Sequence, residues 1–360
     1  MQTSIEVEYW VVDEAGRLTE PGALLDVSEH VEPEFVDPLL ELKTPPCETI
    51  EELGRTFVGE LADVLAVAER SGKGLVPFGT PINGGSIDQH AGKRSDIQER
   101  VLGENFGYAK YCAGTHVHVE KRNVVDQLNT LIALDPALAC CNSSPYFQGQ
   151  PIASSARSYI YRRKCYEHFP KHGQLWEYAE NVGQWRRRLE RRFEEFKAAA
   201  VAEGIDPEVV EEEFTPDDVV WTPIRLRQEF PTVEWRSPDA TLPSEILRLV
   251  DDLGTVMETL HHTNVDVGGE RGSVTEDGIT LPEFDVVCDL AEEAMVDGLT
   301  SQNVRDYLDR MGFSVADYDP ISARIGGRER VGPADACELR REYADHLVRD
   351  VDSLLRTVEA

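Results

Sequence analysis

The sequence predicts an α+β fold built around an antiparallel β-sheet. Strand-like and helical segments follow one another without the regular strand–helix–strand alternation that a parallel sheet needs. Residues i and i+2 of a strand point to the same face of a sheet. Three strand-like segments carry polar or charged pairs at this spacing: Glu6 and Glu8, His116 and His118, and Glu234 and Arg236. If these strands lie side by side, they form a concave face lined with carboxylates, imidazoles and a guanidinium.

The first half of the chain is predicted to hold four strands and two helices. The second strand ends at Pro45, and Thr49 with Glu52 forms a capping-box signature at the start of a helix. Apolar residues then recur at helical spacing until Gly72. In chain order the patterns predict strands over 3–13 and 38–44, the helix that ends at Gly72, strands over 75–80 and 115–120, and a buried helix over 123–141.

The second half begins with a long polar loop, predicted over 142–157, and loops of this length in compact domains are often functional. We divide the chain into a larger domain over 1–265 and a helical C-terminal extension over 266–360 that packs on it. The remaining patterns predict a helix over 184–203, an exposed acidic link over 201–218, two strands within 219–237, and helices over 243–262, 285–298, 301–311 and 334–357.

The charge balance is strongly acidic. The 360 residues include 36 basic and 67 acidic side chains, which gives a formal net charge of −31. Such a surface repels nucleic acid and anionic membranes. It fits either a binding surface for a basic partner or adaptation to very high salt, which screens charge repulsion. The acidic residues are spread along the whole chain, and this dispersal favours salt adaptation because a binding site would concentrate them.

The cysteines and the N-terminus predict a cytoplasmic protein. Seven cysteines are present without a CxxC pair, so a zinc knuckle is not expected. Their odd number predicts free and mostly buried thiols instead of disulfides. The N-terminus lacks the pattern of a signal peptide, and no apolar run reaches membrane-spanning length. We therefore expect no membrane partner.

Four glutamates are candidate ligands for divalent cations. Glu6 and Glu8 alone also fit an exposed edge strand of an acidic protein. Glu41 favours a metal site, because it lies in the otherwise apolar strand PLLELKT, where an unpaired carboxylate is costly to bury. Glu34 lies shortly before it, in VEPEF, and fits a solvated turn equally well.

Two further strands add nitrogen donors and a cation. The pair His116 and His118 is a common metal-ligand arrangement on a strand, although two half-buried structural histidines give the same pattern; Glu120 shares their face, either as a third ligand or as a rim residue. Glu234 is a candidate ligand, and Arg236 is suited to phosphate because its planar guanidinium donates two parallel hydrogen bonds. Carboxylates with imidazole suit Mg²⁺ or Mn²⁺ better than Zn²⁺. No phosphate-binding glycine loop is present, so any nucleotide is expected to be held through metals and arginines.

Six segments, taken in order, resemble the carboxylate–amine ligases of the glutamate–cysteine ligase type, and most closely their short, salt-adapted archaeal branch. These segments are SIEVEYWVVD, LLELKTPPCETIEEL, FGTPIN, GTHVHVE, NSSPYFQGQPIASSARS and PTVEWRSPDA. The resemblance as a whole covers roughly residues 4–262. The resemblance implies a sheet curved into a funnel, similar to the glutamine synthetase catalytic domain, with residues 1–265 as the ligase domain. It also implies that ATP and Mg²⁺ are used to join glutamate to cysteine.

The resemblance assigns roles residue by residue. Glu234 with Arg236 matches the family's ExR strand, and Arg157 in SSARS resembles an arginine that faces the amino-acid substrates. His118 is carried over less firmly, since related branches place a different polar residue there. The positions that match the family's metal ligands are Glu6, Glu8, Glu34, Glu41, His116 and Glu234.

The chain departs from the family pattern at two places. Tyr9 and Trp10 stand where relatives often have a further acid, and Ser237 lies where many carry a cysteine. These departures leave the amine acceptor open, so ligation to another amino acid or amine is an alternative. Two other classes are a metal-dependent hydrolase that uses His116 and His118, and a non-catalytic acidic protein that binds a basic partner.

Overall fold

The computed structural model describes residues 1–90, 92–227 and 231–358. Within these ranges it contains a seven-stranded sheet, a three-stranded sheet and a two-stranded hairpin. The strands are β1 (Thr3–Asp13), β2 (Val31–Pro33), β3 (Leu39–Lys43), β4 (Lys73–Val76), β5 (Thr115–Glu120), β6 (Tyr146–Phe147), β7 (Gln150–Pro151), β8 (Ile224–Leu226), β9 (Thr232–Trp235), β10 (Asn264–Val267), β11 (Ser273–Thr275) and β12 (Gly278–Leu281).

The long strand β1 is the centre of the main sheet. The strand order is β2-β3-β1-β5-β9-β8, and every neighbouring pair is antiparallel. On the edge opposite β3, the first half of β1 pairs with β5 and its second half pairs with β4. Side chains alternate along β1, so Ile5, Val7 and Tyr9 are fully buried while Glu6 and Glu8 lie half-buried on the other face.

Helices pack along the main sheet. The α-helices are α1 (Ile50–Arg70), α2 (Lys93–Leu102), α3 (Val124–Ala133), α4 (Ala156–Ile160), α5 (Pro170–Gly173), α6 (Val182–Ala202), α7 (Pro207–Glu213), α8 (Pro216–Val219), α9 (Pro243–His262), α10 (Phe284–Val296), α11 (Gln302–Arg310), α12 (Ile321–Ile325) and α13 (Pro333–Val358). Helix α1 contacts β3 and β4, α13 contacts β4, and α3 contacts β8 and β9. Helix α9 joins them by contacting α1, α3 and α13.

The predicted α+β class with an antiparallel sheet is confirmed, as are most elements. Strands β1, β3, β5, β8 and β9 and helices α1, α6 and α9 lie where the patterns placed them. The N-terminal cap of α1 is also present, since the Thr49 hydroxyl accepts a hydrogen bond from the backbone N–H of Glu52. The carboxylate of Glu52, however, accepts from the N–H of Glu48 and not from that of Thr49.

Four boundaries differ from the sequence prediction. Strand β4 spans 73–76 instead of 75–80, and Pro136 divides the predicted helix 123–141 into α3 and a 3₁₀ helix. The loop 142–157 contains the β6–β7 hairpin and the start of α4. The segment 201–218 is mostly exposed, as predicted, but it is not an irregular link, because α7 and α8 form there. The acidic composition obscured the buried residues Val210, Phe214 and Val219 in and beside these helices.

The C-terminal region is less purely helical than expected. Helices α10, α11 and α13 match the predicted segments, but β10, β11 and β12 form a small sheet before them. The pair β10–β12 is parallel, unlike every pair in the main sheet. Strand β10 crosses the predicted boundary at 265, so the division into two parts stays a prediction.

Helix α13 is tied to the loops beside β1 and β4 by one buried arginine. Arg340 is 3% exposed. Its Nε donates to the carbonyl oxygen of Gly16 at 2.7 Å, and its Nη1 donates to the carbonyls of Pro81 and Asn83 at 2.8 and 3.0 Å. Gly16 adopts φ +75°, and a Cβ there would lie 2.1 Å from the carbonyl oxygen of Cys337. The first turns of α13 therefore rest directly on the turn that follows β1.

The cysteines match the prediction, and the described helices include one bent pair with the length and composition of a membrane span. All seven cysteines are free, and five of them are buried. No single described helix is long and apolar enough to cross a membrane, although α3 and the 3₁₀ helix Asp135–Cys141 pass together as a bent pair. Nearly all residues of that pair are buried inside the protein.

We expect Arg340→Met to lower the free energy of unfolding by about 2–3 kcal/mol, because three buried carbonyls lose a charged donor. Denaturant unfolding at fixed potassium chloride concentration measures the change. The matched control is Arg349→Met, an exposed position on the same helix, which should change stability by less than about 0.5 kcal/mol. Equal losses in the two variants would contradict the anchoring role of Arg340.

Candidate active site

Strand register brings distant polar residues to one face of the main sheet. Glu6 pairs directly with His116 across β1 and β5, and His118 pairs with Glu234 across β5 and β9. Glu8 pairs with Glu41 across β1 and β3. We call this surface the acid–imidazole face, which comprises Glu6, Glu8, Glu34, Glu41, His116, His118 and Glu234. All six residues predicted to bind metal lie on it.

The centre of the face is Glu6, which lies between two imidazoles. Its Oε2 is 3.2 Å from His116 Nδ1 and 3.4 Å from His118 Nε2. Partial burial acts to raise the pKa of Glu6, but the two histidines outweigh it and hold this pKa well below its usual range. The pKa of His116 is lowered by burial and by Arg236, against the opposing effect of the carboxylates. Glu6 is thus a carboxylate at neutral pH, beside a His116 ring whose charged form is disfavoured.

A second group of carboxylates lies toward β2 and β3. Glu41 is 6% exposed and forms an ion pair with Lys43 at 2.9 Å. Burial and the neighbouring carboxylates of Glu6 and Glu8 nevertheless raise the pKa of Glu41 to about 7. Burial, with Glu8 and Glu41 nearby, also raises the pKa of Glu34 well above its usual value. This part of the site therefore holds more carboxylates than the nearby positive charge can neutralise.

The opposite end of the face is basic. Glu234 is fully buried, and its carboxylate has Arg236 at 3.2 Å, Arg227 at 3.4 Å and Arg225 at 4.0 Å. Burial acts to raise the pKa of Glu234, but these arginines and the two histidines lower it to about 2. Arg236 also lies over the ring of Trp221, with its Cζ 4.2 Å from the ring centroid.

Among the described residues, the buried Nη1 of Arg236 has no hydrogen-bond partner. A buried donor without an acceptor is costly, so this atom is suited to receive an anionic ligand. The same holds for the buried Nε of Arg225, which also lacks a described partner. The geometry thus supports the predicted role of Arg236 in binding an anion, and it indicates the same role for the neighbouring Arg225.

Arg157 contacts the backbone that follows β9, next to Arg236. The resemblance implied an arginine that faces amino-acid substrates. In the structure its Nη1 donates to the carbonyls of Arg236, Ser237 and Pro238 at 3.1–3.2 Å, and it is 6% exposed. Nη1 and Nη2 are thus taken up by backbone carbonyls and hold the chain just after β9, whereas the buried Nε has no hydrogen-bond partner among the described residues. The prediction that Arg157 faces the substrates stays a prediction.

Gly114 makes this placement of Arg157 possible. A Cβ at Gly114 would lie 1.9 Å from Nη2 of Arg157, so no side chain fits there. The N–H of Gly114 also donates to Oε2 of Glu8 at 2.6 Å. The glycine of the GTHVHVE segment therefore aligns one ligand candidate while admitting the guanidinium.

A buried ion pair supports the reverse side of β9. Asp135 is fully buried and pairs with Arg162 at 2.8 Å. Its Oδ1 accepts hydrogen bonds from the hydroxyl of Ser237 and from the indole N–H of Trp235. Arg162 Nη2 also donates to Ser237 Oγ at 2.9 Å. Ser237, noted in the sequence as a departure from the family, is thus the contact through which this pair holds the end of β9.

A cavity of about 830 Å³ adjoins the basic end of the face. This volume is within the range of small-molecule sites, roughly 300–1,000 Å³. Arg225 and Arg227 line it and also contact Glu234. Its aromatic lining consists of Phe35, Phe106, Tyr161 and Trp221. The cavity thus meets the face at the two arginines beside Glu234.

The sequence patterns had not singled out some of these site residues. Arg225 and Arg227 have the same spacing of two on a strand that singled out Glu234 and Arg236, so the pattern was available. Asp135 and Arg162 carried no such signal, because their partners are distant in sequence. Glu120 lies at the rim, paired with Arg122 at 3.1 Å and apart from the cluster.

The face has the donors and spacing that divalent cations require. Three sets bring one ligand atom from each residue within 4.8 Å of the others. The sets overlap, because Glu6 and Glu41 each belong to two of them. They are Glu6 with Glu41 and His116, Glu6 with His118 and Glu234, and Glu8 with Glu34 and Glu41. Such oxygen-rich sets with one imidazole or none fit Mg²⁺ and Mn²⁺.

The raised pKa of Glu41 predicts how the metal-free protein responds to pH. Its folded-state pKa of about 7 exceeds the ordinary 4.5, so the unfolded chain releases this proton first as pH rises. Stability is therefore lost progressively between about pH 4.5 and pH 7. Glu41→Gln removes this loss. In chelator-treated protein, E41Q should be more stable than wild type by about 2–3 kcal/mol at pH 8 and nearly equal to it at pH 5. If the free energies of unfolding of E41Q and wild type changed with pH in parallel, the raised pKa of Glu41 would be contradicted.

Comparisons with known proteins identify the family and the fold of the chain. The sequence profile of glutamate–cysteine ligase family 2 (GCS2) matches residues 5–317. A protein from Roseiflexus castenholzii, provisionally named glutamate–cysteine ligase 2, is 25% identical over 188 residues, which are 47% of this chain and 47% of that protein. A protein of the same provisional name from Chloroflexus aurantiacus is 26% identical over 183 residues, 47% of this chain and 45% of that protein. The match spans about half the length of these curated relatives.

Two solved structures share the fold. A bifunctional glutathione synthetase from Pasteurella multocida has a TM-score of 0.60 at 14% identity, covering 96% of this chain and 52% of that chain. A glutamate–cysteine ligase from Francisella tularensis, in complex with AMP, has a TM-score of 0.56 at 12% identity. The match covers 99% of this chain and 92% of that chain. At such identities the likeness establishes the fold, and the sequence profile establishes the family. The chain belongs to glutamate–cysteine ligase family 2.

Proposed function

We propose that this protein is an ATP- and Mg²⁺-dependent glutamate–cysteine ligase that forms γ-glutamylcysteine through a γ-glutamyl phosphate. One observation carries the proposal. Carboxylates and imidazoles from β1, β3, β5 and β9 converge on one sheet face, and three arginines border it, two of which also line a cavity of about 830 Å³. Cation ligands beside anion-binding guanidiniums are the combination that phosphoryl transfer requires.

The chemistry has two steps. The γ-carboxylate of glutamate is a poor electrophile, so it first takes the terminal phosphoryl group of ATP, and ADP is released. The α-amine of cysteine then attacks the acyl carbon, a C–N bond forms, and phosphate leaves. Bound Mg²⁺ ions would neutralise charge on the phosphates and the carboxylate. Their ligands would be Glu6, Glu8, Glu34, Glu41, His116 and Glu234.

The arginines are assigned to the transferring phosphoryl group. Arg236 and Arg225 carry buried N–H donors that lack described partners, and both lie beside Glu234. Their position is fixed before the substrate binds, since Trp221 supports one face of Arg236. Preorganised donors stabilise developing negative charge without having to reorient. Arg157 and the pair Asp135–Arg162 would act as positioning residues that hold the end of β9.

The burial of the site opposes the non-catalytic alternative. A protein that only binds a basic partner would present its acids outward, but Glu41 and Glu234 are 6% and 0% exposed. The remaining points stay part of the proposal. Cysteine as acceptor is taken from the family resemblance, and the net charge of −31 favours function at high salt in the cytoplasm.

A phosphate-release assay tests the proposal. In molar potassium chloride with Mg²⁺ and ATP, phosphate release should require both glutamate and one amine acceptor, with cysteine the best acceptor. Glu234→Gln and Glu41→Gln should each lower this rate by on the order of a hundredfold or more, because each removes a charge that acts on the phosphoryl group or its cations. Circular dichroism should show that both variants remain folded.

Glu120→Gln is the matched control, since Glu120 lies on the same strand face but at the rim. It should keep the wild-type rate within about twofold, as expected for a change away from the site. Near-normal turnover in E234Q or E41Q would contradict the metal assignment. Hydrolysis of a substrate without ATP would instead support the hydrolase alternative based on His116 and His118.

A further inference from the structure

His118 is a buried imidazole whose inward nitrogen, Nε2, lies 3.4 Å from Glu6 Oε2 and makes no hydrogen bond of good geometry with a described residue. It is 6% exposed, and its Nε2 points into the acid–imidazole face. An unsatisfied buried polar atom is costly in free energy. It therefore needs an explanation. The sequence offered His118 as a ligand only through its pairing with His116, and the ligase resemblance did not include it among the metal ligands.

The atoms around Nε2 are the ligand atoms of a cation. Glu6 Oε2 lies 3.4 Å from it, and a carboxylate oxygen of Glu234 completes a set within 4.8 Å. Two ligands at right angles, each about 2.1 Å from one ion, lie roughly 3 Å apart. The spacing of Glu6 and His118 is thus close to one edge of an octahedral coordination sphere.

The other ring nitrogen is arranged as in metal-binding histidines. Nδ1 of His118 lies 3.4 Å from Oγ1 of Thr232, which can accept a hydrogen bond from the Nδ1–H group. A histidine that ligates a metal generally donates its second N–H to such a partner, and this bond fixes the tautomer. With the proton on Nδ1, the lone pair of Nε2 is directed at Glu6 and Glu234.

We propose that His118 is a metal ligand, which with Glu6 and Glu234 forms a cation position that takes Mn²⁺ in preference to Mg²⁺. An imidazole nitrogen is a softer donor than a carboxylate oxygen and favours transition-metal ions, whereas Mg²⁺ prefers oxygen. The inference rests on the proposed function, because it assigns one of the cation positions of that site. It goes further by naming an additional ligand and the ion it selects.

Pulsed electron paramagnetic resonance of the Mn²⁺-loaded full-length protein tests the bond directly. The chelator-treated protein is loaded with Mn²⁺ in molar potassium chloride and gel-filtered, so that ions on the acidic surface are removed. Imidazole bound to Mn²⁺ gives a ¹⁴N coupling. In His116→Gln this coupling should persist, because His118 still supplies it, and in the H116Q/H118Q double variant it should disappear. Loss of the coupling in H116Q alone would overturn the proposal.

A second measurement does not depend on H116Q remaining folded. His118→Gln places an amide oxygen at a reach similar to that of Nε2. It should lower Mn²⁺ affinity at this position by on the order of tenfold or more and reduce the preference for Mn²⁺ over Mg²⁺, as measured by calorimetric competition. The control is His346→Asn, a histidine 3.9 Å from Glu342 on α13, which should leave both unchanged.

The outcomes separate this inference from the proposed function. If H118Q binds both ions as wild type does, while E41Q and E234Q lose them, His118 is not a ligand and the ligase proposal stands. If the wild-type protein retains no Mn²⁺ or Mg²⁺, both proposals fail. An unchanged ion preference in H118Q despite weaker binding would also overturn the assigned selectivity.

Discussion

The structure depends on the neutralisation of one buried carboxylate. Glu234 has no exposed surface, and removing its charge from water costs several kcal/mol unless opposite charges replace the solvent. Arg225, Arg227 and Arg236 replace it, and together they bring more positive charge than one carboxylate needs. Across β5 and β1 the balance reverses, with Glu41 surrounded by further acids. The face is therefore polarised, with surplus positive charge at one end and surplus negative charge at the other.

Strand β9 is held by charge on both of its faces. Glu234 and Arg236 face the site, while Trp235 and Ser237 contact the buried pair Asp135–Arg162 on the reverse side. A buried ion pair is weak evidence for stability, since apolar side chains of similar volume in its place often stabilise the fold equally well. Its effect here is directional, because hydrogen bonds with fixed geometry set the angle at which β9 presents its charges. Rigid support of this kind is what a preorganised site needs.

The sequence predicted those parts of the site that follow from strand periodicity. A spacing of two on a strand is sufficient to place Glu6, His116 and Glu234 on one face, and antiparallel pairing then sets them opposite one another. Arg225 in β8 and Arg227 just after it follow the same rule, so strand periodicity also places these two guanidiniums on one face. Asp135 and Arg162 could not be identified in this way, because their roles arise from contacts between segments distant in the chain, and Arg157 was identified only through the family resemblance. Metal identity also depends on such contacts.

The close approach at Gly114 constrains how this chain can vary. Its hydrogen atom occupies the space in which any side chain would collide with the guanidinium of Arg157. The two positions therefore form a coupled pair: alanine at the first requires a shorter residue at the second. Homologues should accordingly show the two positions changing together, and a designed enzyme that shortens Arg157 would gain a small void into which residue 114 can grow.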